Sequence, residues 1–451
     1  MRTGSSSAGL KSDAMHTFLI AALAGLKLLT FDVDATPPVG SELTYQRMEA
    51  SWDLSLRARG IVLLGAGDPV VLCAVDWIGI ANGSQDAFKE ALAAAAGTTP
   101  DRVEVHTVHQ HDAPICDFTS EEILLEKGMD PGPFEGTFQR QVIATLASRI
   151  AATLDQARPV TAVGYGSARV HRVASSRPVR LRDGSIGTRY SSEKRPEYQG
   201  LPRGLVDPEL SMVSFWDGDE PLVALSFYAT HPQSYYRTKT ANPDFPGVAR
   251  MMMDLRDPDV LHVHFNGAGG NVAAGKYNDG SHKMRRILAR RLERAMRKAW
   301  RRTRRSEISS FEWATEPLLL PADDRVALLE DSLSKMERAP LTNSVGNLGW
   351  YRRRAEGRTV NAACLALGDV RVLFMPGELF VEYQLSAKKM RPRLHVAMAA
   401  YGDYGPFYIG TRAAYETDIY EVRSSPVTAE AEDYILERLE RLLEKTDRSR
   451  D

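Results

Sequence analysis

The chain has 451 residues, of which 43% are hydrophobic and 25% charged, and its formal net charge is −1. This composition is typical of a soluble globular protein and excludes a disordered or collagen-like chain. No run reaches the roughly 18 apolar residues that a membrane-spanning helix needs. The three cysteines are few and odd in number, so no disulfide framework is implied. They include no Cys-x-x-Cys pair, which excludes the usual zinc finger.

The N-terminal residues have the features of a targeting segment. Arg2 and Lys11 precede the apolar stretch "FLIAALAG", and residues 22–24 fit a small-residue cleavage site. We therefore expect residues 1–25 to be a signal peptide or a disordered leader. Export to the periplasm or the medium is favoured over a cytoplasmic location. Residues 26–451 are expected to form one domain.

From residue 26 onward, β-rich runs alternate with helical ones. The sequence predicts a first strand at 26–35, two strands within 60–80 joined by a turn at 65–69, a helix from Ser84, and a strand ending at three histidines. It then predicts a helix at 136–157, a hairpin within 210–234, a buried strand before residue 267, a basic helix at 283–305, a hairpin turning at 368–369, and a last helix near 428–446. The predicted fold class is α/β: one large domain with mixed β-sheets flanked by helices, and not a repeating βαβ barrel.

Polar side chains recur where apolar strands give way to Pro- or Gly-marked loops. His109, His111, His231 and Glu378 all occupy such positions. Open α/β sheets place their ligand sites at strand ends, so residues far apart in sequence can converge on one crevice. The pattern predicts a shared site but does not by itself select the carboxylate of a metal centre.

The motif "VHTVHQHDAP" carries the strongest metal signal. Alternate residues of a strand share a face, so His109 and His111 should point the same way with Cα atoms roughly 6.5 Å apart. His106 falls on the opposite face and is interpreted as a bystander. A hydrogen-bonded strand end is the competing interpretation of this motif. The second H-x-H, His262 and His264, lies in an apolar run and is interpreted as a core pair.

Six segments, taken together, resemble the neutral ceramidase family, specifically its catalytic domain and the bacterial ceramidase-like proteins. They are "FDVDATPPVG", "VHQHDAP", "SFYATHPQS", "FNGAGGNVAAGKYN", "MPGELF" and "YIGTRAAYETDIYE", in the family's order between residues 28 and 425. The resemblance implies a neutral-ceramidase-like catalytic domain and a zinc-dependent amidohydrolase. Its zinc-bound hydroxide would attack the amide of ceramide or of a related small-molecule or lipid N-acyl substrate. The resemblance also implies a role in sphingolipid metabolism.

The resemblance also implies a metal site. Carried over residue by residue, the Zn²⁺ ligands are His109, His231, Glu378 and Tyr408. Zinc suits such a set, because a catalytic zinc site uses nitrogen and oxygen ligands and keeps a position for water.

Three further residues receive catalytic roles from the same resemblance. Tyr420 and Arg177 would stabilise the developing oxyanion. His111, with a pKa near neutrality, would protonate the leaving amine. Without the resemblance, packing in the core is the preferred interpretation of the two tyrosines.

Two departures from the family put ceramide itself in doubt. The family has an Asn-x-Gly-Asp-x-Ser segment, but "NGAGGNV" carries Gly270, Asn271 and Val272 where the acid and serine would fall. Gly269 and Asn271 are expected to line the substrate pocket, because glycine lets a ligand approach the backbone closely. The second departure is that the family's C-terminal immunoglobulin-like domain is expected to be absent. A zinc esterase or deacetylase acting on a lipid or carbohydrate, and a catalytically silent ligand-binding relative, remain as alternatives.

The segment 283–305 holds twelve Lys or Arg residues and one Glu. Its apolar residues recur at helical spacing, so it is predicted to be an amphipathic helix with a solvated outer face. Peripheral contact with an anionic membrane is the alternative. Nucleic acid is not an expected partner, because the run contains one aromatic residue and no binding motif. The sequence predicts no oligomeric state.

Overall fold

Strands and helices alternate along the part of the chain that the structure, a computed structural model, describes: residues 25–52 and 54–447, the side chains of 338–340 excepted. The predicted leader lies outside these residues, save for Gly25. The strands are β1 (Lys27–Asp34), β2 (Arg57–Leu64), β3 (Val70–Val75), β4 (Gly79–Ile80), β5 (Val103–Thr107), β6 (Ile115–Cys116), β7 (Arg158–Pro159), β8 (Ala162–Arg169), β9 (Ser175–Ser176), β10 (Pro178–Arg180), β11 (Ile186–Thr188), β12 (Glu209–Asp217), β13 (Glu220–Tyr228), β14 (Leu261–Asn266), β15 (Val272–Ala273), β16 (Arg304–Glu307), β17 (Phe311–Leu318), β18 (Val360–Leu367), β19 (Val370–Phe374), β20 (Glu378–Leu379), β21 (His395–Ala399) and β22 (Tyr408–Ile409). The α-helices are α1 (Gly83–Ala96), α2 (Phe118–Glu126), α3 (Thr137–Thr153), α4 (Pro196–Gly200), α5 (Asp244–Arg256), α6 (Lys283–Arg301), α7 (Arg338–Ala355), α8 (Val381–Met390), α9 (Arg412–Tyr415), α10 (Tyr420–Arg423) and α11 (Ala431–Lys445).

Three larger sheets organise the described residues. The first has the strand order β5-β3-β2-β1-β7, the second β14-β13-β12-β8-β16, and the third β17-β18-β19-β21. Each sheet is mixed: most neighbours are antiparallel, but β3–β5, β13–β14 and β19–β21 are parallel. The predicted fold class, α/β with mixed sheets flanked by helices, is confirmed.

The same unit recurs once in each sheet. A hairpin (β2–β3, β12–β13 or β18–β19) is followed by a crossover helix (α1, α5 or α8), and the chain then returns as a parallel strand (β5, β14 or β21). Parallel pairing needs such a crossover, because the second strand must start at the same end as the first. The carboxyl ends of each parallel pair open into loops at one edge of the sheet.

The apolar core explains how the three sheets are held together. One central cluster takes side chains from all three sheets, including Leu72, Phe227, Phe265 and Phe374. Three outer clusters then lie between each sheet and its own helices: α1 and α3, α5 and α6, or α8 and α11. Strands buried on both faces read as near-continuous apolar runs, as "VVLCAV" of β3 does.

The basic segment forms a helix over Lys283–Arg301, and its last residues enter the edge strand β16 instead of extending the helix. Met284, Leu288 and Leu292 are buried, whereas Arg286 and Arg290 are exposed. The prediction of a buried apolar stripe beneath a solvated basic face is confirmed. None of the helices among the described residues is both long and apolar enough to cross a membrane.

Candidate metal centre and active site

The predicted site residues meet where the three parallel strand pairs end. His109 and His111 follow β5, His231 follows β13, and Glu378 and Tyr408 follow β19 and β21. The loops with His109 and His231 belong to the first and second sheets, and the loops with Glu378 and Tyr408 both belong to the third. The packing of the sheets on one another therefore brings these side chains together. The described part of the chain contains a buried histidine cluster, His109, His111 and His231, whose ring nitrogens lie within 4.8 Å of one another.

His109 is fixed by its surroundings in one orientation. β5 ends at Thr107, and the backbone of His109 has a φ of 68°, a left-handed conformation that is uncommon outside glycine. Its Nδ1 donates to the carbonyl oxygen of Ile78 at 2.7 Å, and its ring stacks on Tyr401 with centroids 4.6 Å apart. Because a carbonyl only accepts, Nε2 is left with a free lone pair. A hydrogen bond of this kind commonly orients a metal-binding histidine.

The distances around Nε2 of His109 fit one small ion. It lies 3.1 Å from Nε2 of His231 and 3.4 Å from Oε2 of Glu378. Ligand atoms at about 2.0–2.1 Å from a tetrahedral zinc are about 3.3 Å apart. Oε2 of Glu378 is buried and has no hydrogen-bond partner. The same oxygen lies 3.6 Å from Nδ1 of His231. Two imidazoles and a carboxylate oxygen are donors of the type that zinc binds, so the residues present fit the implied metal.

Two tyrosines hold Glu378 in place. Glu378 and Tyr408 are direct partners in the parallel pair β20–β22, so the two residues lie side by side. The hydroxyl of Tyr404 donates to Oε1 of Glu378 at 2.7 Å and leaves Oε2 for the ion. Tyr404 was not among the predicted site residues. Its place in "GDYGPFYIG" gave no periodic signal that could have identified it.

His111 joins the cluster by a different route from the one predicted. His109 and His111 lie on a loop after β5, so strand alternation does not explain their meeting, and that part of the prediction is wrong. Their ring centroids are nevertheless 4.9 Å apart. Nδ1 of His111 is buried without a hydrogen-bond partner, which makes this residue a further candidate ligand. His106 is a bystander, as predicted: its Nδ1 donates to the carbonyl of Ala400 at 2.8 Å.

Burial sets the protonation states of the cluster. It lowers the pKa of His109 to about 3 and the pKa values of His111 and His231 well below the ordinary value. The expectation of a near-neutral pKa for His111 is therefore wrong, because desolvation, helped by His109 and Arg177, disfavours its cation. Burial also raises the pKa of Glu378 to about 8. Without an ion, all three imidazoles are neutral at pH 7 and Glu378 is protonated.

Arg177 stands between the two predicted tyrosines. It donates from Nη1 to the hydroxyl of Tyr408 at 3.1 Å, and its Cζ lies 5.7 Å from the ring centre of Tyr420. Its Nε forms a 2.8 Å ion pair with Oε1 of Glu421, a residue with no exposed side-chain surface. Glu421 was not predicted, although it directly follows Tyr420 in the motif.

Asn271 and Gly269 support the wall of the site. The amide of Asn271 donates to Glu382 at 2.8 Å and accepts from the backbone of Val381 at 3.0 Å. A Cβ on Gly269 would lie 2.9 Å from the backbone carbon of Thr230, so glycine is needed for this close approach. Neither residue is among those lining the cavity. A direct role for them in binding a substrate stays a prediction.

The cluster opens into a cavity of about 170 Å³. Its lining residues are mostly aromatic or polar: Tyr45, His109, His111, Arg177, Tyr190, His231, Gln233, Tyr236, Asn343, Glu378, Tyr404, Phe407, Tyr408 and Tyr420. Tyr190 and Tyr236 are 51% and 37% exposed and therefore mark the mouth. Tyr45 stacks on His111 with ring centroids 6.0 Å apart and packs against Tyr236.

The loop that carries Tyr236 is fastened by Asp112, the neighbour of His111. The buried carboxylate of Asp112 accepts from the backbone of Arg237 at 2.7 Å, the hydroxyl of Thr238 at 2.7 Å, and the amide of Asn242 at 3.1 Å. Asp112 also was not predicted, although its position in "HQHDAP" was a signal. It couples the histidine loop to one wall of the cavity.

The second H-x-H pair lies elsewhere in the core. His262 and His264 are buried on β14, and Nδ1 of His264 lies 2.9 Å from the hydroxyl of Ser226. The interpretation of this pair as core histidines is confirmed.

No protein-family model and no curated protein matches the chain. Solved structures do match. The chain superposes on neutral ceramidase from Pseudomonas aeruginosa with a TM-score of 0.63 and 17% identity, over 94% of this chain and 75% of that one. It superposes on a structure described as a ceramidase complexed with C2 with a TM-score of 0.65 and 15% identity, over 95% and 77% of the two chains. Identity at this level establishes the fold and not the activity: the chain has the ceramidase-like fold that its six sequence segments predict.

Proposed function

We propose that this protein is a zinc-dependent amidohydrolase that cleaves the amide bond of an N-acyl substrate. The observation that carries the proposal is the convergence of His109, His231 and the orphaned Oε2 of Glu378 at distances that suit one ion. The ceramidase-like fold supports the same reaction class, because its solved relatives are ceramidases by name. Tyr408, beside Glu378, would complete the ligand set.

The chemistry that a zinc ion supplies when bound is Lewis acidity, which polarises a carbonyl and makes water acidic enough to ionise near pH 7. The protein's own residues would do the rest. Arg177 and Tyr420 face the cavity from one side and would donate hydrogen bonds to the carbonyl oxygen as negative charge develops on it. Arg177 is held in place by Glu421 and Tyr408 before any substrate arrives.

His111 would move the proton. Its unpartnered Nδ1 would take a proton from water and deliver it to the nitrogen of the leaving amine. Because burial disfavours the imidazolium, His111 would hold this proton only transiently.

The test combines metal analysis with a hydrolysis panel on the full chain. We expect about one zinc per chain and hydrolysis of N-acyl amides that stops after chelation and returns with zinc. His109→Ala and Glu378→Gln should each lose both metal and turnover. His395→Ala is the matched control, since this exposed histidine stacks on Tyr165 outside the site. A zinc-loaded protein that hydrolyses esters alone, or nothing, would overturn the proposal.

A further inference from the structure

The size of the cavity constrains the substrate. Pockets that enclose drug-sized ligands measure roughly 300–1,000 Å³, whereas the cavity at the histidine cluster is about 170 Å³. An ion and its water would occupy part of that space. What remains suits a molecule of a few heavy atoms around the scissile bond.

The lining gives a second, independent constraint. Tyrosine, histidine and polar side chains form nearly all of the wall, and none of the lining residues is Ala, Val, Leu, Ile or Met. Burying a methylene group contributes roughly 0.8 kcal/mol only when it leaves water for an apolar contact. A long alkyl chain would find few such contacts here. The wall suits a polar or planar group instead.

A second, very small space with a mainly apolar surface adjoins the cavity, although Asp117 and Asn347 also line it. Asn343, Tyr404 and Phe407 line both the cavity and a void of about 20 Å³, whose far side includes Ile115 and Phe134. A space of that measure holds about one water-sized probe. Phe407, which is 8% exposed, therefore lies between the histidine cluster and this void, which has room for little more than a methyl group.

The geometry points to a short-chain N-acyl amide, with an acetyl-sized acyl group, as the substrate class of this site. The inference rests on the proposed function and narrows it. The acyl methyl group would be directed to the side of Phe407 and the small void. The amine portion would face the mouth, where Tyr45, Tyr190 and Tyr236 offer ring faces and hydroxyls.

The test uses one fluorogenic amine carrying an acetyl, an octanoyl or a palmitoyl group, with zinc-loaded full-length protein. We expect kcat/KM for the acetyl amide to exceed that for the palmitoyl amide by at least about 100-fold, because a pocket that is too small rejects extra methylenes. Equal or better cleavage of the palmitoyl amide would overturn the substrate class and leave the amidohydrolase intact. Absence of cleavage for all three, with zinc bound, would count against the proposed function itself.

Phe407→Ala tests the wall directly. This substitution would join the cavity to the small void, so the octanoyl-to-acetyl ratio of kcat/KM should rise about tenfold. Phe407→Leu is the milder variant should the alanine protein fail to fold, and its ratio should move in the same direction. Phe215→Leu, in the central core away from the cavity, is the matched control and should leave the ratio unchanged. A ratio that stays constant in folded Phe407 variants would show that this side chain does not limit acyl length.

Discussion

Arg177 and Glu421 form an ion pair that is closed off from water, with Nε and Oε1 2.8 Å apart and no exposed surface on the carboxylate side chain. Arg177 contacts both Tyr408 and Tyr420, and its pairing with Glu421 orients the guanidinium group that faces the cavity. Desolvation by burial opposes the charge of Arg177, but the neighbouring Glu421 and Tyr408 outweigh it and raise the pKa of Arg177 above its ordinary value.

Glu421→Gln should destabilise the protein and impair hydrolysis. Removing one partner of a buried pair leaves an uncompensated charge and costs about 3–5 kcal/mol of unfolding free energy. Denaturant titration of the zinc-free protein measures this loss. Glu220→Gln is the control, because Glu220 pairs with Arg158 at the surface and should show no measurable change.

The double variant Arg177→Met with Glu421→Gln separates stability from catalysis. With both charges gone, unfolding free energy should return towards the wild-type value. Hydrolysis should stay low, because the guanidinium group that would face the carbonyl oxygen is then missing. Wild-type kcat in this variant would show that the pair has only a structural role.

Zinc binding should release a proton from Glu378. Burial raises the pKa of this carboxyl to about 8, while the pKa values of the three histidines are lowered, so at pH 7 Glu378 is the group that must lose a proton to bind the ion. Zinc affinity should therefore increase about tenfold per pH unit up to about pH 8 and then level off. Calorimetry in two buffers of different ionisation enthalpy measures the released proton.

The same shift predicts how the zinc-free protein responds to pH. The folded-state pKa of Glu378, about 8, exceeds its ordinary value of 4.5, so the native state holds the extra proton between these two values. The contribution of Glu378 to stability is full below the lower value and is lost as pH rises towards the upper one. In Glu378→Gln this part of the pH dependence should vanish. If it persists unchanged, another group is responsible.

Asp112→Asn should loosen one wall of the cavity. An amide in place of the carboxylate would face the donors of Arg237, Thr238 and Asn242, which costs about 1–3 kcal/mol for each donor left unsatisfied. We expect KM to rise more than kcat falls, with zinc still bound, because Asp112 holds Tyr236 and not the ion. Asp183→Asn, in an exposed turn closed on Ser185, is the control. A fall in kcat alone would contradict this assignment.

Peripheral contact of the exposed face of α6 with an anionic membrane is the alternative to a face that is only solvated, and vesicle binding distinguishes the two. Arg286, Arg290 and Arg294 share that face, and each cation near an anionic bilayer contributes about 1 kcal/mol. Co-sedimentation with phosphatidylserine vesicles should be salt-sensitive and should be lost when these three residues are changed to Glu. Changing Lys194, Lys335 and Lys389, also exposed, to Glu alters the net charge equally and should have no effect. Equal loss in both triple variants would indicate a net-charge effect without a specific face.

Sequence patterns predicted the strands well, because strands such as β3 and β14 are buried on both faces and their apolar runs are continuous. The convergence of strand ends followed from the general behaviour of α/β sheets. The left-handed backbone of His109 and the lowered pKa of His111 could not be predicted, since a local pattern shows neither the backbone conformation nor the burial that lowers the pKa. Tyr404 and Glu421 were not predicted as site residues, because their partners are distant in sequence.

The repetition of one structural unit in all three sheets was also not predicted from the sequence. Its hairpins, crossover helices and parallel strands share a plan but no recognisable motif, because a buried strand requires only apolar residues and not particular ones. Each unit carries candidate metal ligands on its loops: His109 and His111 in the first sheet, His231 in the second, and Glu378 with Tyr408 in the third.

The order of the sheets along the chain has a consequence for biosynthesis. The ribosome synthesises His109 first, His231 next and Glu378 last. The two histidines are therefore present in the nascent chain well before the glutamate. Domains fold progressively from the N-terminus, and distant contacts form slowly. If the proposed function holds, capture of zinc by His109, His231 and Glu378 would await the third sheet. Zinc loading would then be a late event of maturation and would report its completion.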